Sequence, residues 1–173
     1  MRTFNYKLFV LSAILVVLAA CSNAASTAAP TAPAKAGVDA KTYCAKLQPA
    51  VQSNMKIPLS LFKADDGHSD DMNAGDPTYM SCIFDSSGKR ITVITRAKDD
   101  EMERDQRNGL TPVSGYGDQA FYSGEKGGQL RWVDVVRGGD FCEALLGVEP
   151  SDLGNGDYVK TGGQICVAAL GAR

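Results

Sequence analysis

The chain has 173 residues, 44% of them hydrophobic, which fits one globular domain and hardly two. Its 20 Asp+Glu against 18 Lys+Arg leave a net charge of −2, which argues against a nucleic-acid partner held by phosphate contacts. A single histidine excludes mechanisms that need two imidazoles, His-rich zinc sites included.

The first element is an address. Arg2 and Lys7 form a positive start, and residues 8–17 are apolar apart from Ser12. That run is too short for a hydrocarbon core of about 30 Å, which needs about 20 residues. It ends in Leu18-Ala19-Ala20-Cys21. Small residues before a cysteine, directly after an apolar run, resemble the lipobox of bacterial lipoproteins. The resemblance implies that residues 1–20 are a signal peptide, cut before Cys21. It further implies a diacylglyceryl group on the Cys21 sulfur and, usually, acylation of the new amine, with fatty acids such as palmitate. Two or three acyl chains anchor stably, since each buried CH₂ contributes about 0.8 kcal/mol. The bland alternative is an ordinary signal peptide with a chance cysteine. Ser22, rather than Asp, follows Cys21. By resemblance to Gram-negative lipoproteins this implies the periplasmic side of the outer membrane in such a cell, and otherwise the cell membrane.

Residues 21–38 read as the lipidated cysteine and a tether. Ala, Ser, Thr and Pro fill 13 of the 17 positions from 22 to 38, too little apolar surface to offset the entropy of ordering. A single globular domain, 39–173, follows. Without Arg2 and Lys7, 16 basic residues face 20 acidic ones, a charge of −4, which favours holding the domain off an anionic membrane.

Four cysteines remain, Cys44, Cys82, Cys142 and Cys166. Export places them in an oxidising compartment, and an even count points to two disulfides. Three pairings exist. Cys44–Cys82 and Cys142–Cys166 each join an expected helix to an expected strand, and they are the pairs chosen. No Cys-x-x-Cys occurs, so catalytic thiols have no support.

Asp39 can cap a helix over 40–47, where Tyr43, Leu47 and Val51 fall at i, i+4 and i+8; Pro49 either starts a second turn or ends the first. A strand-like stretch follows at 59–62, then a polar loop at 64–77. Strands at 78–85 and 90–96 flank a turn at 86–89. A charged helix is expected at 99–108, then a glycine-rich turn at 115–118 and a short strand at 119–123. A second hairpin joins 129–137 to 140–148 through Gly138 and Gly139. The pattern at 157–170 suits a helix, which Gly162 and Gly163 weaken. The total is α+β: a mostly antiparallel sheet of two hairpins and short strands, packed by an N-terminal helix and, on this pattern, a C-terminal one.

Cys44 on a first helix, Cys82 on a strand, and Val113-x-Gly115-Tyr116-Gly117-Asp118-x-Ala120 before a hairpin resemble a loose group of small bacterial lipoproteins. The group is best known from actinobacteria. It is similar to the extracellular sensor domain of a mycobacterial serine/threonine kinase. The resemblance spans residues 40–170 and implies a sheet packed by helices, two disulfides and a ligand-binding cleft. It carries over no catalytic residues, and signalling through a kinase does not transfer.

The loop 65–76 concentrates five carboxylates with His68. Weak calcium binding is conceivable there, but the EF-hand spacing fails: the twelfth position from Asp71 is Cys82, where a bidentate Glu is needed. A solvated acidic loop is the simpler reading, and no metal or cofactor is expected. The 115–118 turn could offer backbone N–H groups to an anion, which Asp118 would repel. The second hairpin says more. With Gly138 and Gly139 as its turn, Val133, Val135, Cys142, Ala144 and Leu146 share the disulfide face. The other face carries Leu130, Trp132, Asp134, Val136, Phe141, Glu143 and Leu145, with Asp134 directly opposite Glu143. That like-charged pair costs energy unless a cation, an arginine or a proton intervenes. Trp132, Asp134, Phe141, Glu143 and Leu145 are therefore the candidate binding residues, with ordinary core as the rival reading.

No Gly-x-Ser-x-Gly or His-Glu-x-x-His appears, and no catalytic residue is assigned. The expectation is a non-enzymatic, membrane-anchored envelope module that binds a small ligand or an envelope protein. A structural or accessory subunit of an envelope complex is the alternative. A small hydrolase using Asp134 and Glu143 is the third reading.

Overall fold

Alternating apolar residues build seven strands: β1 (Ser60–Asp65), β2 (Met80–Ser86), β3 (Lys89–Ala97), β4 (Thr111–Val113), β5 (Gln119–Gly124), β6 (Arg131–Arg137) and β7 (Asp140–Gly147). They form one antiparallel sheet in the order β1-β2-β3-β7-β6-β5-β4. Helices α1 (Ala40–Ser53) and α2 (Tyr158–Ala172) pack on one face of it. The computed structural model describes residues 38–67, 76–99, 109–124 and 131–173. The fold is thus α+β, with an N-terminal and a C-terminal helix. Among the described residues no helix is long and apolar enough to cross a membrane.

The hairpins follow from their turns. Ser87 and Gly88 both take positive φ, 52° and 84°, so β2 and β3 are joined by two residues rather than the four expected. In the second hairpin Gly138 takes φ 62°, and Arg137 pairs with Asp140. Every later pair keeps that register, including Val135 with Cys142 and Val133 with Ala144. These side chains, with Ile91, Val93 and Phe84, form the helix-side core. Residues 129 and 130, expected in this hairpin, lie outside the described residues, as do 100–108 of the charged helix and 68–75 of the acidic loop.

The helices differ from expectation in instructive ways. Asp39 caps α1 as its sequence suggests, accepting the Thr42 N–H at 3.0 Å. The helix then runs past residue 47 and through Pro49 to Ser53. Proline forgoes one backbone bond there, but Val51 is fully buried and Met55 packs just beyond, so tertiary contact keeps the last turns in place. Likewise β1 extends to Asp65, into the stretch expected as loop. Strand β4 was not legible, because Pro112 demotes a strand pattern; it sits at the sheet edge, where a missing donor is tolerated.

Helix α2 contains Gly162 and Gly163 despite their cost of about 1 kcal/mol each against Ala. Close approach explains both. A Cβ on Gly162 would stand 2.6 Å from Val133 Cγ2, and one on Gly163 2.6 Å from the Tyr116 ring. Val133 is fully buried, whereas Tyr116 is half-buried and its ring can swing aside. Gly162→Ala should therefore lower stability by about 1–3 kcal/mol despite its gain in helix propensity, and Gly163→Ala by less. Denaturant midpoints of the full chain check this; a stabilising Gly162→Ala would contradict the packing account.

Two disulfides fasten the helices. Cys44–Cys82 ties α1 to β2, and Cys142–Cys166 ties β7 to α2, each with Cα atoms 5.5 Å apart. All four cysteines are fully buried, which fits a domain that matures in an oxidising, extracytoplasmic compartment. A polar link joins the same layers: the Tyr43 hydroxyl donates to the Ala169 carbonyl at 3.1 Å and accepts from Thr95 Oγ1 at 3.3 Å.

Candidate functional site

Strand alternation sends one set of side chains to the helices and the other to the opposite face. That second face receives Trp132, Asp134 and Val136 from β6, and Phe141, Glu143 and Leu145 from β7. Trp132 pairs with Leu145, Asp134 with Glu143, and Val136 with Phe141. The five candidate residues therefore share one face, in the register read from the hairpin. The sheet order adds neighbours that the sequence did not reveal. Strand β3 places Ile94 opposite Glu143 and Arg96 opposite Phe141, while β5 places Phe121 opposite Asp134. The parity of Arg96 was readable in its strand, but the pairing of β3 with β7 was not.

Burial is uneven across this face. Val136 and Phe141 are buried, whereas Trp132, Glu143 and Leu145 are half-buried. Asp134 is 1% exposed, yet neither of its carboxylate oxygens has a hydrogen-bond partner. Buried polar groups are nearly always paired, so a carboxyl in this state is exceptional. The Arg96 guanidinium lies over the Phe141 ring, 5.1 Å from its centre.

The electrostatics follow from that placement. Burial, and secondarily the charge of Glu143, push the Asp134 carboxyl up to about 8 from an ordinary value near 3.8; Arg96 works in the opposite direction. Burial also raises Glu143, again with Arg96 opposing. At neutral pH Asp134 is chiefly the neutral acid, able to donate a proton to an acceptor beside it. Of the three agents expected to relieve the like-charged pair, a proton and an arginine both contribute. A raised carboxyl is also what a general acid needs, and in this conformation Asp134 is closed to solvent.

The other candidates resolve differently. Asp118 Oδ2 accepts the Gly138 N–H at 2.6 Å, and the Asp118 N–H donates to the Val136 carbonyl at 2.7 Å. The 115–118 segment thus braces the second hairpin's turn, and the Asp118 carboxylate is engaged with the Gly138 N–H. In the acidic loop, Asp65 ion-pairs with Lys63 at 2.7 Å and accepts the Gly67 N–H, while Asp76 accepts from Thr78. His68 lies outside the described residues. Among the described residues no three His, Cys, Asp or Glu side chains gather as metal ligands. Comparison of the chain with protein-family models, with curated proteins and with solved structures finds no match.

Proposed function

We propose that this chain is a lipid-anchored, extracytoplasmic, non-enzymatic binding module whose contact surface is the sheet face opposite the helices. The carrying observation is Asp134, buried and without a hydrogen-bond partner on either oxygen, in the middle of that face. An unsatisfied buried carboxyl is costly to keep for structure alone. The helix-side face is filled by core and both disulfides, so contact with a partner falls to the other side. Trp132 and Leu145 are half-buried beside the acidic pair, a partly desolvated apolar setting in which interface anchors are found.

The membrane attachment in this reading rests on Leu18-Ala19-Ala20-Cys21. Cys21→Ser should leave the protein unprocessed or release it from detergent-phase partitioning; unchanged mass and partitioning would contradict it. A second reading, an accessory subunit of an envelope complex, draws on Phe62, which is 65% exposed on edge strand β1 with the Arg90 guanidinium 5.3 Å from its ring centre.

Trp132→Ala tests the contact face. Its half-buried side chain predicts a stability loss below about 2 kcal/mol, against roughly 3–5 for a core aromatic. Binding of the envelope component or ligand recovered with the acylated protein from its native membrane should weaken by about 2 kcal/mol or more. A core-sized loss of stability with unchanged binding would overturn the contact face. Binding sensitive to Phe62→Ala but not to Trp132→Ala would favour the accessory-subunit reading.

A further inference from the structure

Charge balance around Asp134 has a chemical consequence. β7 faces it with Glu143, β5 with the uncharged Phe121, and from β3 the charge of Arg96 acts on both carboxyls. Farther along the same row stand Ser81 and Asp65, and Asp65 is already paired with Lys63. Among the described residues, two carboxylates against one guanidinium leave the ionised cluster one positive charge short. No side chain among the described residues makes up the difference by bonding Asp134, whose two oxygens are both unpartnered.

The geometry points to the Asp134–Glu143 pair as a site for one monovalent organic cation, an alkylammonium group, taken up in exchange for a proton. This rests on the contact-face reading above. The exchange balances: protonated Asp134, Glu143 carboxylate and Arg96 sum to zero, and so do two carboxylates, Arg96 and a bound ammonium, with one proton released to solvent. A divalent metal ion suits the cluster less well, because it would leave an excess positive charge beside Arg96 and find only two protein ligands there. Half-buried Glu143 gives the incoming group its first contact, and loss of the proton from Asp134 completes the site. Trp132 and Leu145 lie two residues along their strands on the same face, about 7 Å away, within reach of a short alkyl chain attached to the ammonium.

Trp132 is the only tryptophan, so its fluorescence reports on the site. The experiment titrates n-butylammonium chloride into the full acylated chain in detergent, against matched sodium chloride, from pH 5 to pH 9. A saturable shift is expected above pH 8, with affinity falling about tenfold for each pH unit below it. Asp134→Asn should weaken binding and flatten its pH dependence. A saturable response that ignores pH in the wild-type chain would overturn the proton exchange. Equal binding of neutral n-butanol would overturn the cation assignment while leaving the contact face standing. A response to neither compound would overturn the cation site, while the contact face stands or falls with the Trp132→Ala binding test.

Discussion

Asp134→Asn is expected to leave stability nearly unchanged near pH 4 and to raise it by about 5–6 kcal/mol above pH 8. The sign follows from proton counts. In the unfolded chain the carboxyl ionises near 3.8, and in the folded chain near 8. Between those values the folded state holds a proton that the unfolded state has lost, so wild-type stability declines as pH rises through this window. Above pH 8 both states are ionised and the full penalty of a buried, partnerless carboxylate remains. Roughly four pKa units at about 1.4 kcal/mol each set the magnitude. Asparagine keeps the shape and removes the titration, so the difference between the two chains isolates this group from other carboxyls. Chemical denaturation of both full chains at pH 4, 6 and 8.5 checks it; a difference that stays constant with pH would contradict the assignment. A protein that keeps a destabilising acid in mid-sheet fits a site that accepts something there, the trade seen where binding sites sacrifice stability.

The second large effect concerns the disulfides. Replacing Cys142 and Cys166 by Ala should cost about 3–4 kcal/mol, and replacing Cys44 and Cys82 slightly more. The order comes from loop length, since the bridged residues are 24 and 38 apart in sequence. Each bridge joins a helix to a strand, so its loss loosens one helix from the sheet while the other stays fastened. Domains are commonly stable by only about 5–15 kcal/mol, so either pair alone should still give a cooperative transition and removal of both should abolish it. Guanidinium unfolding of the three variants tests this. A loss below about 1 kcal/mol for either pair would show that core packing alone holds that helix.

Much of this architecture was legible because it depends on local pattern. The Gly138 and Gly139 turn sets the β6–β7 register, so Trp132, Asp134, Phe141, Glu143 and Leu145 could be placed on one face before any tertiary contact was known. The cysteine pairs followed from helix and strand placement alone. What remained hidden depends on long-range contact. Gly162 and Gly163 spoil a helix by propensity and are explained only by Val133 and Tyr116 pressed against them. Pro112 disguised β4, whose edge position is a property of the sheet. Pro49 obscured the length of α1, which burial of Val51 decides. At the site, opposing carboxyls could be read from the hairpin, but Arg96 and Phe121 arrive through pairings of β3 with β7 and β5 with β6. Burial and the missing hydrogen-bond partners could not be read either, since both are set by the assembled sheet.

Asp134 sits in mid-sheet as a buried acid with no hydrogen-bond partner on either oxygen. Its carboxyl carbon can be followed by ¹³C NMR in the full chain across pH 3 to 10, using Asp134→Asn to assign the resonance. A midpoint at about 8 is expected, lowered when n-butylammonium is present because the bound cation favours the ionised form. A midpoint near the ordinary carboxyl value of 3.8, unmoved by the amine, would contradict it.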